Sequence, residues 1–337
     1  MEDIVQQAGF DARKPTEAGA DKVATILRTQ DRKGIWLAVP SPLGIDMASD
    51  ASVLVFDYYD TAVRGRRYLN ESGVIIATRI ESRETRAALI EELKPQAGSS
   101  GAGDSEPLGK MNLLQQMSIP LRQRLPNLTW RKGTYIIDVM LDAQMSNRAR
   151  IVLNAGLAAE RDPAVAEFIE RQTAVSSGPR DIRPAPSAAG GLPIYRKTDR
   201  SLPVPNDLNI SLSAERVSVY RPDARNVLRG SYRLAVPSAL YRSTTGIPGE
   251  VTAVVAITLV ITGNLMTGPF VAPLRVPTYD LIDASKPESV VTGHFEIDLF
   301  ALPETSKVPQ TYRILAYSGE VRSAPAISAV VTPQMMK

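Results

Sequence analysis

The sequence predicts a mainly β protein of the α+β kind, built as two consecutive β-sandwich domains, the first with a few short helices. Three observations lead there. Short β-branched and aromatic runs recur along the chain. A stretch crowded with proline, glycine and serine, Val175 to Asp207, divides it. Beyond that stretch helical periodicity stops, leaving strands and proline-bounded turns. The 337 residues leave room for two cores, since a domain holds about 100 to 200 residues.

In order, residues 1–30 read as a flexible N-terminal arm, acidic where a secretory leader would be basic and lacking a leader's apolar core. The N-terminal domain is expected over 31–178, a linker over 179–206 and the C-terminal domain over 207–337. Strands of the first domain are expected at "IWLAV" (35–39), "SVLVFDYY" (52–59), "GVIIATRI" (73–80), "TYIIDVMLDA" (134–143) and "ARIVLNAG" (149–156). Three helices are expected among them. "SRETRAALIEELKP" has Ser82 as cap and ends at Lys94-Pro95. "KMNLLQQMSIP" spaces Met111, Leu114 and Met117 helically. "DPAVAEFIERQ" has Asp162 as cap, Pro163 in the first turn, and Val165, Phe168 and Ile169 on one face. The apolar stripes of the first and third helices, with Leu89, Leu93, Val165, Phe168 and Ile169, are expected to serve self-association, because apolar patches of a few hundred Å² usually mark interfaces.

"IPGEVTAVVAITLVITGN" is the most apolar stretch of the chain. Its run from Val251 to Thr262 is too short for a helix across a bilayer, which needs about 20 residues. β-Branched residues dominate it and Pro-Gly and Gly-Asn turns bound it, so it reads as a strand buried on both faces at the centre of the second sandwich. "PQAGSSGAGDSEPLG" (95–109) reads as a mobile loop. It lacks the lysine-serine/threonine ending of a phosphate-binding loop. No repeat recurs at a solenoid period.

Cysteine is absent, which removes disulfides, thiolate zinc sites and cysteine nucleophiles. Net charge is only +3, but 29 of the 39 basic residues are arginine, whose planar fork grips phosphate at two oxygens. The charge is segregated. Pro107 to Ile137 holds five cations and no acid, and Arg216 to Gly249 holds six arginines against Asp223 alone. Residues 251–300 reverse the balance, the pattern of a protein with one anion-facing side.

His294 is the single histidine. On "HFEIDLF" it shares a strand face with Glu296 and Asp298, opposite Phe295, Ile297 and Leu299. Paired carboxylates on such a face suit acid–base work or a metal, but a solvated face over an apolar one predicts the same letters. Nucleophile elbows, paired-histidine helices and dinucleotide fingerprints are missing, so we expect no enzyme, cofactor or metal. The candidate binding residues for anionic lipid or RNA are instead basic. Arg64, Arg66 and Arg67 lie beside Tyr68 on a turn; Arg122, Arg124, Arg131 and Lys132 flank Trp130; Arg221, Arg225 and Arg229 open the second domain. Trp130 beside two cations suits a membrane interface. It equally suits the core at a strand start.

Four segments carry a family resemblance: "GIWLAVPSPLG" (34–44), "FDYYDT…SGVIIATRIESRETRAALIEEL", "SYRLAVPSALYRSTTGIPGEVTAVVAITLVITG" (231–263) and "YRILAYSGEVRSAPAISAVVTP" (312–333). In pattern and order the chain resembles the matrix proteins of negative-strand RNA viruses of paramyxovirus, pneumovirus and filovirus type. The resemblance implies peripheral binding to anionic lipids on the inner face of a host membrane, homodimers growing into curved arrays, and links to the viral nucleocapsid and the envelope glycoprotein tail. It implies residence in the virion and the host cytoplasm. A jelly-roll capsid or shell protein, or a protein binding the phosphate backbone of RNA, would share the strands and arginines.

Overall fold

A computed structural model of the chain describes residues 17–38, 45–46, 52–60, 73–90, 112–141, 144–155, 194–195, 197–219, 225–237, 254–280, 285–302, 305 and 308–331. It divides into two compact units, 1–167 and 168–337. Both are β-sandwiches, as expected from the sequence.

The N-terminal unit begins with helix α1 (Glu17–Thr29), followed by β1 (Gly34–Ala38), β2 (Ile45–Asp46), β3 (Ser52–Asp60), β4 (Gly73–Arg79), β5 (Thr85–Leu89), β6 (Asn112–Pro120), one helical turn α2 (Leu121–Arg124), β7 (Gly133–Leu141), β8 (Gln144–Met145) and β9 (Ala149–Ala155). One sheet runs β1-β3-β6. The other runs β2-β9-β7-β4-β5, with β8 paired to β7. Between them lie Ile35, Val53, Val55, Ile75, Met117, Ile119, Tyr135, Ile137, Val139 and Ile151. They come from alternate positions, as strand geometry requires.

In the C-terminal unit the elements are β10 (Asn209–Ala214), β11 (Val217–Val219), β12 (Val227–Pro237), β13 (Val254–Gly263), β14 (Phe270–Pro277), β15 (Glu288–Asp298), a 3₁₀ turn (Leu299–Ala301), β16 (Gln310–Ser318), β17 (Val321–Arg322) and β18 (Ala326–Val331). Its sheets run β10-β12-β15 and β11-β18-β16-β13-β14, with β17 paired to β16. Strand for strand this repeats the first unit. β2 pairs β9 in parallel and β11 pairs β18 in parallel, while their other neighbours are antiparallel. The shift that carries Gly133 onto Gln310 also carries the Gly133–Leu153 pairing onto Gln310–Val330 and Met140–Met145 onto Tyr317–Arg322. The chain is therefore a tandem duplication of one sandwich, at a spacing far longer than any solenoid period. In each unit a three-stranded sheet faces a six-stranded one whose first strand in the chain runs parallel to its last.

Each copy opens with a segment that covers its three-stranded sheet. Over β1-β3-β6 lies α1, with Val23, Ala24 and Leu27 packed on Ala38, Leu54 and Phe56. Residues 17–29 thus form a helix where the sequence had suggested part of a flexible arm. Over β10-β12-β15 lies an extended strap. Ile194 exchanges backbone hydrogen bonds with Glu296, Pro203 O accepts from Ser231 Oγ at 2.7 Å, and Leu202 O bonds His294 Nε2 at 2.7 Å. The end of the expected linker, from residue 194, is accordingly part of the second sandwich's cover.

β13 is the buried central strand that its composition predicted. Val255, Ile257, Leu259 and Ile261 enter the core, and Val260 on the opposite face is also fully buried. Two expected helices are strands. "SRETRAALIEELKP" supplies β5, paired with β4 from Thr85 to Leu89, and "KMNLLQQMSIP" supplies β6, paired with β3 along its length. Pairing and burial outweigh the helix preference of alanine, leucine and glutamine. The third expected helix, with Val165, Phe168 and Ile169, lies outside the described residues, as does Leu93.

A candidate anion-binding corner

At one end of the N-terminal unit the β4–β5 hairpin meets the connection between β6 and β7. The hairpin amide of Ile80 donates to Thr134 O at 2.9 Å, and Thr134 N donates to Glu81 Oε1 at 2.7 Å. Two arginines of the hairpin grip the connection. Arg79 Nη2 donates to Lys132 O at 3.0 Å, and Arg86 Nε donates to Asn127 O at 3.2 Å. Glu81 lies 3.6 Å from Arg79 and Glu84 lies 2.8 Å from Arg86, so the grip is internally compensated. Gly133 has φ of +152°, and a Cβ there would stand 2.7 Å from a Glu81 oxygen, so the corner demands glycine.

The connection is held from within by aromatic residues. The Tyr135 hydroxyl accepts from Arg131 N at 2.7 Å and faces Thr129 O at 2.9 Å and Arg131 O at 2.8 Å, either of which takes its proton. This is the tyrosine corner of such sandwiches, a hydroxyl at the start of the strand tying down the backbone just upstream. Burial pushes the Tyr135 phenol above its ordinary pKa, outweighing the Arg131 backbone bond and the Arg79 charge. Trp130 stacks on Tyr135 at 4.9 Å and donates Nε1 to Leu125 O at 3.2 Å. It is 5% exposed, so the core reading of Trp130 holds and the interface reading is corrected: its indole is spent inside.

Around this scaffold, Arg122, Arg131 and Lys132 are exposed and Arg124 is half-buried. Across residues 79–86 and 121–134 there are seven cations, Arg79, Arg83, Arg86, Arg122, Arg124, Arg131 and Lys132, against two acids, Glu81 and Glu84. Sequence reasoning found four of the seven. It missed the hairpin arginines because it took 82–94 for a helix, where Arg79 and Arg86 would not flank a tight turn.

Arg225 is exposed just before β12, and Arg229 pairs with Glu296 at 2.9 Å; both belong to the other unit. Arg64, Arg66, Arg67 and Arg221 lie outside the described residues. On "HFEIDLF" the alternation is as predicted, with Phe295, Ile297 and Leu299 in the core. The opposite face, however, is not solvated at His294. That imidazole is 3% exposed beneath the strap, with Nδ1 3.2 Å from the Tyr279 hydroxyl. Its Nε2 faces a carbonyl, which can only accept, so Nε2 carries a proton. Among the described residues no group of three His, Asp or Glu side chains could hold a metal ion, and no helix is long and apolar enough to cross a membrane.

No protein-family model matches this sequence, and no curated protein does. Among solved structures, a biofilm-associated protein BSP domain is 8% identical with a TM-score of 0.15, the match covering 88% of this chain and 58% of that one. The C-terminal domain of the Streptococcus pyogenes antigen I/II-family protein AspA is 8% identical with a TM-score of 0.14, the match covering 88% of this chain and 99% of that one. The chain thus spans less than two thirds of the biofilm domain's length. Likenesses this slight carry no argument, and the architecture rests on the strand pairing above.

The second sandwich provides an internal comparison. Its matching turn keeps Leu302 and Tyr312 where the first has Leu125 and Tyr135, and its Leu302 N bonds Leu299 O three residues back where Leu125 N bonds Leu121 O four back. The shift between copies puts Val308 and Pro309 at the places of Arg131 and Lys132. At these two described positions the second sandwich closes its corner with apolar residues.

Proposed function

We propose that the chain is a non-catalytic structural protein that docks peripherally on an anionic membrane surface through the basic corner of its first sandwich. One observation carries the reading: the duplicate corner folds with Val308 and Pro309 at the positions of Arg131 and Lys132. A sandwich of this strand order thus folds with apolar residues at two of the cationic positions, and a cluster of like charges on one corner is suited to an anionic partner. Each basic residue near an anionic leaflet contributes about 1 kcal/mol. The matrix-type role implied by the sequence resemblance is the specific form of this proposal, with the corner facing phospholipid headgroups on the inner side of a membrane.

Vesicle co-sedimentation after nuclease treatment tests it. The protein is expected to pellet with phosphatidylserine-containing vesicles at low salt and to be released as the Debye length falls from about 10 Å at 0.1 M to about 3 Å at 1 M. Equal binding to neutral vesicles, or retention only on an RNA homopolymer, overturns the membrane assignment.

A further inference from the structure

The duplication exposes a difference at one sheet edge. β5 and β14 are the corresponding edge strands of the two six-stranded sheets. Val74 pairs with Leu89 and Met140, and Thr258 pairs with Pro273 and Tyr317, so Leu89 and Pro273 hold the same place. In β14 the outward row contains Pro273 and Pro277. Proline has no N–H, and prolines on an edge block the addition of another strand. β5, Thr-Arg-Ala-Ala-Leu, contains no proline. Glu84 O and Ile90 N bond inward to β4, so by strand alternation the backbone groups of Thr85, Ala87 and Leu89 point outward. Among the described residues no strand pairs with that edge.

We infer that β5 is a self-association edge: two copies of this chain pair antiparallel through it, about a two-fold axis at Ala87. Self-complementarity identifies the occupant. An axis at Ala87 uses the whole strand, setting Ala87 against the partner's Ala87, Thr85 against the partner's Leu89 and Arg86 against the partner's Ala88. No like charges oppose each other, whereas an axis at Arg86 would place two guanidinium groups face to face. The Arg86 guanidinium is engaged by Glu84 and Asn127 O, and its bond to Thr85 O takes one outward acceptor, which pairing must share or displace. Leu89, expected from the sequence to serve self-association on a helix, lies instead on this edge strand. The inference does not depend on the basic corner.

The test uses the full chain. Light scattering of the wild type is expected to show a dimer in the micromolar range. Leu89→Pro copies the sister edge, removes an outward N–H that no described residue accepts, and is expected to give a monomer with an unchanged melting profile. Because the chain has no cysteine, a single introduced one can bridge only between copies. Paired residues at such a position stand about 5.5 Å apart at Cα, within disulfide reach, so Ala87→Cys is expected to form a covalent dimer on mild oxidation. Ala88→Cys, offset from its counterpart, is expected not to. A monomeric wild type, a dimeric Leu89→Pro, or cross-linking through Ala88→Cys instead of Ala87→Cys each overturns the proposal.

Discussion

Ser146 and Ser323 do the same work in two different sandwiches: each hydroxyl accepts the amide of the strand residue seven positions earlier, Val139 N and Ala316 N, both at 2.9 Å. Each serine amide in turn donates back to the same residue's carbonyl. Replacing either by alanine leaves a buried amide without its partner, which costs about 1–3 kcal/mol. Calorimetry of Ser146→Ala and Ser323→Ala is expected to destabilise one unit each, with additive effects in the double variant. A shift of both units by one substitution would contradict independent cores.

Tyr135→Phe keeps the ring stacked on Trp130 but frees Arg131 N and the upstream carbonyls, and is expected to cost about 1–2 kcal/mol. Its pH dependence follows from the raised phenol. A group with a folded pKa above its unfolded value of about 10 adds stability that is fully present below that value and lost as pH rises through the folded pKa. Wild-type melting is therefore expected to fall more steeply than that of Tyr135→Phe above about pH 10. Parallel curves over that range would show that Tyr135 does not titrate differently on unfolding.

Arg122→Ser, Arg124→Ser, Arg131→Ser and Lys132→Ser combined are expected to weaken vesicle binding by several kcal/mol at low salt, at about 1 kcal/mol per charge. Melting should change little, as the sister corner lacks these charges. Full retention of binding by this variant would remove the corner from the contact.

Val255→Asp places an unpaired carboxylate in the core of the second sandwich, where Val255 is fully buried. The cost of several kcal/mol is comparable with a domain's whole margin of about 5–15 kcal/mol. Circular dichroism on heating is expected to show the second unit lost and the first retained. A wild-type melt would refute the core assignment.

Asp138 is 1% exposed and lies 3.6 Å from Arg148 across the outer face of β7; the matching residue of the second sandwich is Leu315, also buried. Arg148→Ala, which strips a buried carboxylate of its cation, is expected to destabilise more than Asp138→Leu, which installs the sister residue. Chemical denaturation of the two variants compares them directly. The reverse order would mean that Asp138 is held by its other contacts.

How much of this was legible in the sequence follows from burial. β3, β4, β7, β9 and β13 are rich in Val, Ile and Tyr and show themselves. β5 and β6 do not, because "TRAAL" and "NLLQQMSIP" favour helix locally and become strands only by pairing with β4 and β3. The strap over His294 read as linker because proline-rich extended chain looks the same whether it crosses solvent or lies on a sheet. The duplication was hidden because few identities survive across the long shift, among them Tyr135 with Tyr312 and Ser146 with Ser323. Only strand pairing brings them into register. Of the corner, the cations of 122–132 were visible, and Arg79 and Arg86 were not, since their part in it is created by the hairpin.

The covering segments have a practical bearing on how the molecule can be divided. A fragment cut at Gly34 or Asn209 would look complete in strand count, yet it would bare Leu54 and Phe56 in one case and His294 and Ser231 in the other. Cut before Glu17 or before Ile194, each piece keeps its lid. The transplantable module is thus lid plus sandwich, and modules of that kind can be strung in series without any sheet losing its roof.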